Sequence, residues 1–283
     1  MKNLENSKTL KAKTQYAEIN ESKKIAYRTF GEGSPIILAN RFRGDLDSWD
    51  PAFLDFLAEK HQVVIFQYSG TGSSTGAQAK TNMEMAQDII DIADYLKIDK
   101  FSVGGWSQGG FAAQIVITEF PERIHHGILI GTRVPGKESS PIKDIFFEHA
   151  LKPENDLHDE VVLFFNPQYP VSVKAAEESH DRLAMRKSDR SLPITPDQYK
   201  QMVQVTGFRE DTYGTFEKMK NTNVPVLSIV GEDDICFPAE DWFAMKGKLP
   251  TVQVLLLPSS GHGPQHQYPE LSASYINQFI DLN

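Results

Sequence analysis

The stretch SVGGWSQGGFAAQ, residues 102–114, decides how the rest of this chain is organised. The mostly apolar stretch 100–106 predicts a buried strand, and a helix is predicted to begin directly after it, at Ser107. Gly105 and Gly109 allow a turn too tight for side chains, and the strain of that turn lifts the serine hydroxyl out of the sheet. Chance glycine-rich turns also match G-x-S-x-G, but a strand before it and a helix after it favour a nucleophilic serine.

Outward from this turn, apolar strands alternate with amphipathic helices. Near-continuous apolar strands separated by helices predict a mostly parallel sheet covered on both faces, and the first two strands predict an antiparallel hairpin at its edge. The sequence therefore predicts an α/β fold. Its predicted strands are 14–20, 23–30, 35–40, 62–68, 100–106, 125–132, 224–231 and 252–258, and its predicted helices are 48–60, 81–98, 107–120, one from about 239, and 269–282.

The alternation is interrupted once. From about residue 133 to about 222 the chain looks helical, carries more charge and is rich in aromatic residues. We therefore predict a core built from residues 1–132 and 223–283, with a helical insertion over 133–222.

Composition excludes several classes of protein. The net charge is −9 and no basic run stands out, which argues against nucleic acid as a partner. The single cysteine, Cys236, permits no internal disulfide and fits a reducing compartment. Neither a secretory signal nor a membrane-spanning apolar run is present, so we expect a soluble cytoplasmic protein. The first dozen or so residues are polar, and we expect them to be poorly ordered.

A nucleophilic serine needs a base, and the base needs a group that orients it. The segment after the predicted strand 224–231 offers Asp233 and Asp234, and the segment after the last strand offers His262 and His266. Both segments follow the carboxyl ends of predicted strands, and ligands bind at that edge in open α/β sheets. Taken singly, each would more often be a solvated or packing residue. The order serine, aspartate, histidine favours a triad.

At this point the chain resembles the α/β-hydrolase superfamily, and the resemblance covers nearly all of it. The family's acid loop looks like G-x-x-D-x-x-x-P, which Gly231, Asp234 and Pro238 match, so the resemblance favours Asp234 over Asp233. The family's histidine usually follows a glycine, as His262 follows Gly261, so His266 is the weaker candidate. The resemblance further implies an eight-stranded sheet and makes the insertion over 133–222 a helical cap, or lid.

The elbow GWSQGG is similar to those of small-ester hydrolases, lactonases and cofactor-free perhydrolases. Serine at position 107 disfavours aspartate-elbow dehalogenases and epoxide hydrolases. Prolyl aminopeptidases are also disfavoured, because their elbow looks like G-G-S-W-G.

The resemblance also assigns an oxyanion hole. The family places an H-G turn after its third strand, and here the corresponding residues run from Asn40 to Gly44 as NRFRG. Aligning backwards from Gly44 and Trp49 puts Phe42 in the oxyanion position, and the second donor is the N–H of Gln108. Backbone groups do this work, so the side chains are free to vary. Arginine at position 41 would cost about 1 kcal/mol if φ were positive there.

The side chains around this turn have two interpretations. Arg41 and Arg43 pair with Asp45 and Asp47, or stand in for a charge pair common in the family and missing here. Alternatively, Arg41 projects into the pocket and binds a carboxylate or a polarised carbonyl, which would favour acidic or oxygen-rich substrates. Trp106 is predicted to line the pocket floor as a second substrate-binding residue, although a tryptophan under a helix is equally often plain core.

Together these features predict a serine hydrolase that cleaves a small carboxylic ester or lactone through an acyl-enzyme, with Ser107, Asp234 and His262 as its triad. The substrate is a small molecule, and no metal or cofactor is implied. The alternatives are a cofactor-free perhydrolase or haloperoxidase, a lyase on the same triad, and a ligand-binding receptor. An ester on a carrier protein is less favoured, because carrier proteins are acidic and no basic patch is apparent in this acidic chain.

Overall fold

An eight-stranded sheet forms the centre of the computed structural model, which describes residues 4–136 and 140–283. The strands lie in the order β1-β2-β4-β3-β5-β6-β7-β8. The first two form an antiparallel hairpin, the second also pairs antiparallel with the fourth, and all other pairs are parallel. The strands are β1 (Gln15–Glu18), β2 (Lys24–Phe30), β3 (Ser34–Ala39), β4 (His61–Phe66), β5 (Phe101–Trp106), β6 (Ile124–Ile130), β7 (Val226–Gly231) and β8 (Val252–Leu257). The predicted α/β fold, with its edge hairpin, is confirmed.

Helices cover both faces of the sheet. They are α1 (Lys8–Lys11), α2 (Pro51–Leu57), α3 (Asn82–Tyr95), α4 (Gln108–Glu119), α5 (Asp144–Ala150), α6 (Leu157–Phe164), α7 (Pro170–Leu183), α8 (Pro196–Val203), α9 (Thr215–Asn221), α10 (Glu240–Phe243), α11 (Pro264–Gln267) and α12 (Pro269–Leu282). Short 3-10 turns lie at Leu4–Asn6 and Pro121–Arg123. Within the described ranges, none of these helices combines the length and the apolar composition needed to cross a membrane.

Two separate apolar clusters join the helices to the sheet. On one face, α3 and α4 pack against β3 and β5 through residues such as Ile89 and Ile115. On the other face, Phe53 of α2 and Ile276 of α12 pack against the opposite sides of the same strands. Every residue of β5 is buried, which explains why its sequence, FSVGGW, carries no charged residue.

The N-terminal segment is ordered where the structure describes it, so the expectation of poor order is wrong for residues 4–11. Leu4 is buried, and the N–H and Oγ1 of Thr9 both donate to Oδ1 of Asp55, at 2.8 Å each. The guanidinium of Arg186 donates to the Thr9 carbonyl oxygen. Tertiary contacts therefore fix a segment whose polar composition suggested none. Residues 1–3 lie outside the described ranges.

The chain between β6 and β7 forms α5 to α9, and the part that holds α5 to α8 is called the cap. The last helix, α9, packs against α4 on the core, so it serves as the crossover between two parallel neighbours. The chain that leaves the core and the chain that returns to it meet at the base of the cap, where the N–H of Gly136 donates to the carbonyl oxygen of Phe208 at 3.3 Å.

A buried ion pair fastens α7 to the core. Asp50 is fully buried at the start of α2, where its Oδ1 accepts from the N–H of Ala52 and caps the helix. Arg182 donates to both Asp50 oxygens, with Nε 2.9 Å from Oδ1 and Nη2 2.7 Å from Oδ2. The hydroxyl of Ser179 adds a hydrogen bond of 2.8 Å to Oδ2. The carboxylate of Asp50 thus caps α2 and also joins it to α7.

Candidate active site

The backbone of the turn between β5 and α4 is strained at Ser107, and the two flanking glycines make this turn possible. Ser107 has φ 56° and ψ −120°, a conformation that side-chain-bearing residues rarely adopt. A Cβ on Gly105 would lie 2.2 Å from the carbonyl oxygen of Gly109, and a Cβ on Gly109 would lie 2.2 Å from the carbonyl oxygen of Ala39. Only glycine fits at either position, so the backbone holds Ser107 at the end of the strand.

The structure brings three predicted residues together in a chain of hydrogen bonds. Oγ of Ser107 lies 2.7 Å from Nε2 of His262, and Nδ1 of His262 lies 2.8 Å from Oδ2 of Asp234. All three side chains are buried, Asp234 and His262 almost completely. A proton on Nδ1 satisfies the carboxylate and leaves Nε2 to accept from the serine hydroxyl, which is the tautomer a general base needs.

Backbone donors fix the carboxylate of Asp234. Its Oδ1 accepts from the N–H groups of Cys236 at 2.7 Å and Phe237 at 2.9 Å, while Oδ2 faces the histidine. Both oxygens are thus engaged. The neighbouring Asp233 anchors the loop through its own N–H, which donates to the carbonyl oxygen of Ser260 at 2.9 Å.

Trp106 lies behind the histidine. Its indole N–H donates to the carbonyl oxygen of His262 at 2.7 Å, and its ring packs against Phe164 at 5.3 Å between centres. The side chain is fully buried and is not among the residues that line the cavity at Ser107. In this structure Trp106 therefore supports the histidine loop from beneath, whereas the sequence placed it on the pocket floor.

The predicted oxyanion loop forms a tight turn closed by a hydrogen bond of 3.0 Å from the N–H of Gly44 to the carbonyl oxygen of Arg41. The residue with positive φ is Arg43, at 59°, so the strain considered for position 41 falls two residues later. Phe42 lines the cavity beside Ser107 and Gln108. Across residues 4–136 and 140–283, no acceptor is found for the N–H of Phe42 or of Gln108.

Neither arginine of this loop pairs with the nearby aspartates among the described residues. The guanidinium of Arg41 lies 4.6 Å from the Phe164 ring centre and 5.1 Å from that of Trp106, and it does not line the cavity. Burial lowers the pKa of Arg41 to about 10. Arg43 instead donates to cap carbonyls, those of Ala150 at 2.7 Å, Lys152 at 2.6 Å and Pro153 at 3.0 Å.

The acids expected to pair with these arginines have other partners. Oδ1 of Asp47 lies 2.5 Å from Arg28 and 3.2 Å from Arg186. Oδ1 of Asp45 accepts from the hydroxyl of Ser48 at 2.9 Å. Pairing across the turn is thus replaced by longer-range contacts between the loop, the core and the cap.

The second candidate histidine, His266, lies away from Ser107. Its ring packs on Trp106 at 4.7 Å between centres, and its Nε2 accepts from the N–H of Asp50 at 3.3 Å. Burial lowers the pKa of His266 to about 4, and the positive charges of Arg41 and Arg182 act in the same direction. It is therefore neutral at pH 7 and serves as packing and as a hydrogen-bond acceptor.

A cavity of about 450 Å³ opens at the serine hydroxyl. The sequence left open whether the cap aromatics line a pocket or pack among themselves, and both occur. Phe146, Phe147 and Phe208 line the cavity, whereas Phe165 packs inside the cap. The polar lining of the cavity comes from Asn82, Ser107, Gln108, Arg133, Ser140 and Arg209.

Sequence reasoning missed Arg133, although one signal was available. It follows the predicted strand 125–132, and the carboxyl end of that strand lies beside the end of the strand that carries Ser107.

Cys236 also lines the cavity, and its chemistry is restricted. It is buried, and burial raises the pKa of its thiol well above the usual range, so it stays protonated at neutral pH. Within the described part of the chain, no group of three or more histidine, cysteine, aspartate or glutamate side chains is arranged to hold a metal ion.

Comparison with known proteins decides the family. Residues 35–269 match the family of the alpha/beta hydrolase fold. The chain belongs to the α/β-hydrolase family. This confirms the resemblance seen in the elbow and in the acid and histidine loops.

Relatives of this α/β-hydrolase include esterases. It is 24% identical over 89% of its length to a pimeloyl-[acyl-carrier protein] methyl ester esterase from Legionella pneumophila, of which it covers 97%. It is 26% identical over 90% of its length to a putative non-heme bromoperoxidase from Mycobacterium tuberculosis, of which it covers 97%. An alpha/beta hydrolase fold protein from Chitinophaga pinensis has a similar structure, with a TM-score of 0.84, 25% identity and coverage of 97% of this chain and 99% of the other.

Proposed function

We propose that this protein is a serine hydrolase that cleaves a carboxylic ester of a small molecule through an acyl-enzyme. The carrying observation is the hydrogen-bonded chain from Ser107 through His262 to Asp234, with contacts of 2.7 and 2.8 Å, at the base of a cavity. The esterase relative from Legionella supports the ester class. A carrier-protein ester is disfavoured as the substrate, because acyl-carrier proteins are acidic and this chain has a net charge of −9.

Acylation begins with the serine. Oγ of Ser107 attacks the ester carbonyl carbon while Nε2 of His262 takes the hydroxyl proton. Asp234 holds the Nδ1 proton and stabilises the imidazolium, and its other oxygen is fixed by two backbone N–H groups. The carbonyl oxygen becomes an oxyanion, which accepts from the N–H groups of Phe42 and Gln108.

The alcohol leaves before deacylation begins. When the tetrahedral intermediate collapses, the proton on Nε2 of His262 passes to the departing alkoxide, and the acyl-enzyme is formed. Water then gives a proton to Nε2 and attacks the acyl carbon. The acid is released, and Ser107 recovers its proton. A lactone would follow the same steps and give a single hydroxy acid.

The proposal is tested with a panel of activated esters of different acyl length, assayed with the wild type and with Ser107→Ala. We expect the variant to lose at least about 10⁴-fold in kcat. Mass spectrometry after rapid quenching should find the acyl group on the peptide that contains Ser107 and not on the one that contains Cys236. Equal activity of the two proteins would contradict the mechanism.

Perhydrolysis is the second candidate, and the relative named as a bromoperoxidase favours it. The triad would act as above, with hydrogen peroxide replacing water in deacylation to give a peracid. Bromination of a dye in the presence of acetate, peroxide and bromide measures this activity. If bromination required Ser107 and exceeded ester hydrolysis, perhydrolysis would replace hydrolysis as the main reaction.

A further inference from the structure

Arg133 is fixed in the wall of the cavity next to the nucleophile. It follows β6, and its carbonyl oxygen accepts from Nε2 of Gln114 at 3.0 Å. The preceding residue, Thr132, donates through Oγ1 to the carbonyl oxygen of Ser107 at 2.9 Å. Two hydrogen bonds to the segment around the elbow therefore set the position of the arginine backbone.

The guanidinium of Arg133 shares an aromatic neighbour with the proposed base. Its central carbon lies 5.8 Å from the ring centre of Phe237, which lies 5.3 Å from the ring centre of His262. Arg133 is only 6% exposed, and the side chain lines the cavity. A cation therefore faces the space in which the reacting ester would lie.

This cation has no protein partner in the described ranges. No acceptor there receives a hydrogen bond from its guanidinium, and Nε is enclosed without a partner. The acid whose charge acts on it most, Asp241, accepts from the N–H of Ser140 at 3.0 Å and from its hydroxyl at 2.7 Å. A buried charge without a partner is unfavourable in a folded protein, and such groups are normally paired.

The rest of the cavity wall makes the local charge positive. Its other charged side chain is Arg209, which is exposed, and the described lining contains no aspartate or glutamate. The remaining lining is mostly aromatic and aliphatic. The protein as a whole has a net charge of −9, whereas the lining of this apolar-walled cavity is positive and would attract an anion.

We propose that Arg133 binds a carboxylate of the substrate, so that the preferred substrate is an ester that also carries a free carboxylate. This rests on the proposed ester hydrolysis and adds the substrate class. A guanidinium presents paired N–H groups that match the two oxygens of a carboxylate, and burial strengthens the contact. Arg133 does not take part in the bond changes; it positions the substrate so that the ester carbonyl reaches Ser107.

The test compares esters that differ only in charge. Monomethyl esters of succinic, glutaric, adipic and pimelic acids place a carboxylate on the acyl side, and the matching methyl ester amides have the same shape without the charge. Acetoxy acids of similar length place the carboxylate on the alcohol side. The readout is the ratio of kcat/KM for the charged ester to that for its neutral counterpart.

We expect the wild type to prefer at least one charged ester, and Arg133→Met to lower its kcat/KM by about 10- to 100-fold with little change for the neutral ester. Arg133→Lys should retain part of the preference, because the charge stays while the paired geometry is lost. Arg190→Met, which removes an exposed arginine outside the cavity lining, should leave the ratio unchanged. Thermal melting reports whether each variant folds.

Two results would overturn the inference while leaving ester hydrolysis intact. They are active hydrolysis of neutral esters with no charged preference, and a preference that survives Arg133→Met. Equal activity of the wild type and Ser107→Ala would instead contradict the proposed function. In that case the binding of glutarate and adipate is measured by calorimetry, with Ser107→Ala and with the double variant Ser107→Ala/Arg133→Met. Binding that Arg133→Met weakens at least tenfold supports the role of Arg133. Binding that is unchanged by Arg133→Met, or undetectable in Ser107→Ala, refutes it.

Discussion

Asp234 uses both carboxylate oxygens, and this determines what an isosteric replacement would do. In Asp234→Asn the amide oxygen is expected to keep the bonds from the N–H groups of Cys236 and Phe237, because that side offers only donors. The amide NH₂ then faces Nδ1 of His262 and holds the ring in the other tautomer, with its proton on Nε2. Such a ring cannot accept the proton of Ser107, so we expect kcat to fall by about 10³- to 10⁴-fold.

The matched control is Asp233→Asn, the same change one residue earlier. Asp233 contacts the histidine loop through its backbone, so this variant should keep kcat within about threefold of the wild type. Steady-state kinetics on one activated ester, with thermal melting to check folding, measures both. An equal loss in the two variants would indicate a loop effect and contradict the assignment of Asp234.

The sequence predicted those site residues that local motifs encode. Ser107 lies in the G-x-S-x-G pattern of a strained turn. Asp234 lies in the acid-loop pattern G-x-x-D-x-x-x-P, and His262 directly follows a glycine. Arg41, Arg43 and Arg133 have no such pattern, because a long side chain can reach several partners. The sequence could not indicate that Arg43 would reach the cap, or that Arg133 would have no hydrogen-bond acceptor among residues 4–136 and 140–283.

The ion pair between α7 and the start of α2 should stabilise the whole protein. Arg182→Met leaves the buried carboxylate of Asp50 without its charged partner. Removing one member of a buried pair typically costs 3–5 kcal/mol, and Arg182 is slightly exposed, so we expect a loss of about 3 kcal/mol in the free energy of unfolding. Urea unfolding followed by circular dichroism measures it.

The double variant Asp50→Asn/Arg182→Met separates charge from packing. It removes both charges, and an asparagine can still cap α2. We expect it to recover more than half of the stability lost by Arg182→Met. A double variant as unstable as the single one would mean that lost packing, not the uncompensated carboxylate, explains the loss.

The elements themselves were predictable to different degrees. The buried strands of the sheet were predicted because short, mostly apolar runs bounded by turn residues leave few alternatives. The N-terminal turn and α1 were not, because they depend on contacts with Asp55 and Arg186, which are distant in sequence. Which aromatic residues of the cap face the cavity also depended on how its helices pack.

His266 makes the stability of the folded protein depend on pH. In the folded protein burial lowers its pKa to about 4, against an ordinary value of 6.5. Between pH 6.5 and 4 the unfolded chain therefore binds a proton that the folded protein does not, and the free energy of unfolding falls as the pH falls. The loss through this one group should reach about 3 kcal/mol by pH 4.

Replacing His266 should remove its contribution to the loss of stability at low pH. We expect His266→Gln to be less stable than the wild type at pH 7 but to lose about 3 kcal/mol less between pH 7 and pH 4. His158→Gln, which removes an exposed histidine of the cap, should follow the wild-type curve. Parallel curves for His266→Gln and the wild type in urea unfolding at each pH would contradict the assignment.

The hydrogen bond between Gly136 and Phe208 has a consequence for how such a protein can diversify. Because the two ends of the cap are joined at its base, a longer or shorter cap closes over the same gap. Doubling the length of a flexible connection costs only about 0.6 kcal/mol in closure entropy. Loops between the cap helices can therefore change in length, while Arg182 of α7 stays on Asp50 and the sheet keeps Ser107, Asp234 and His262 in register.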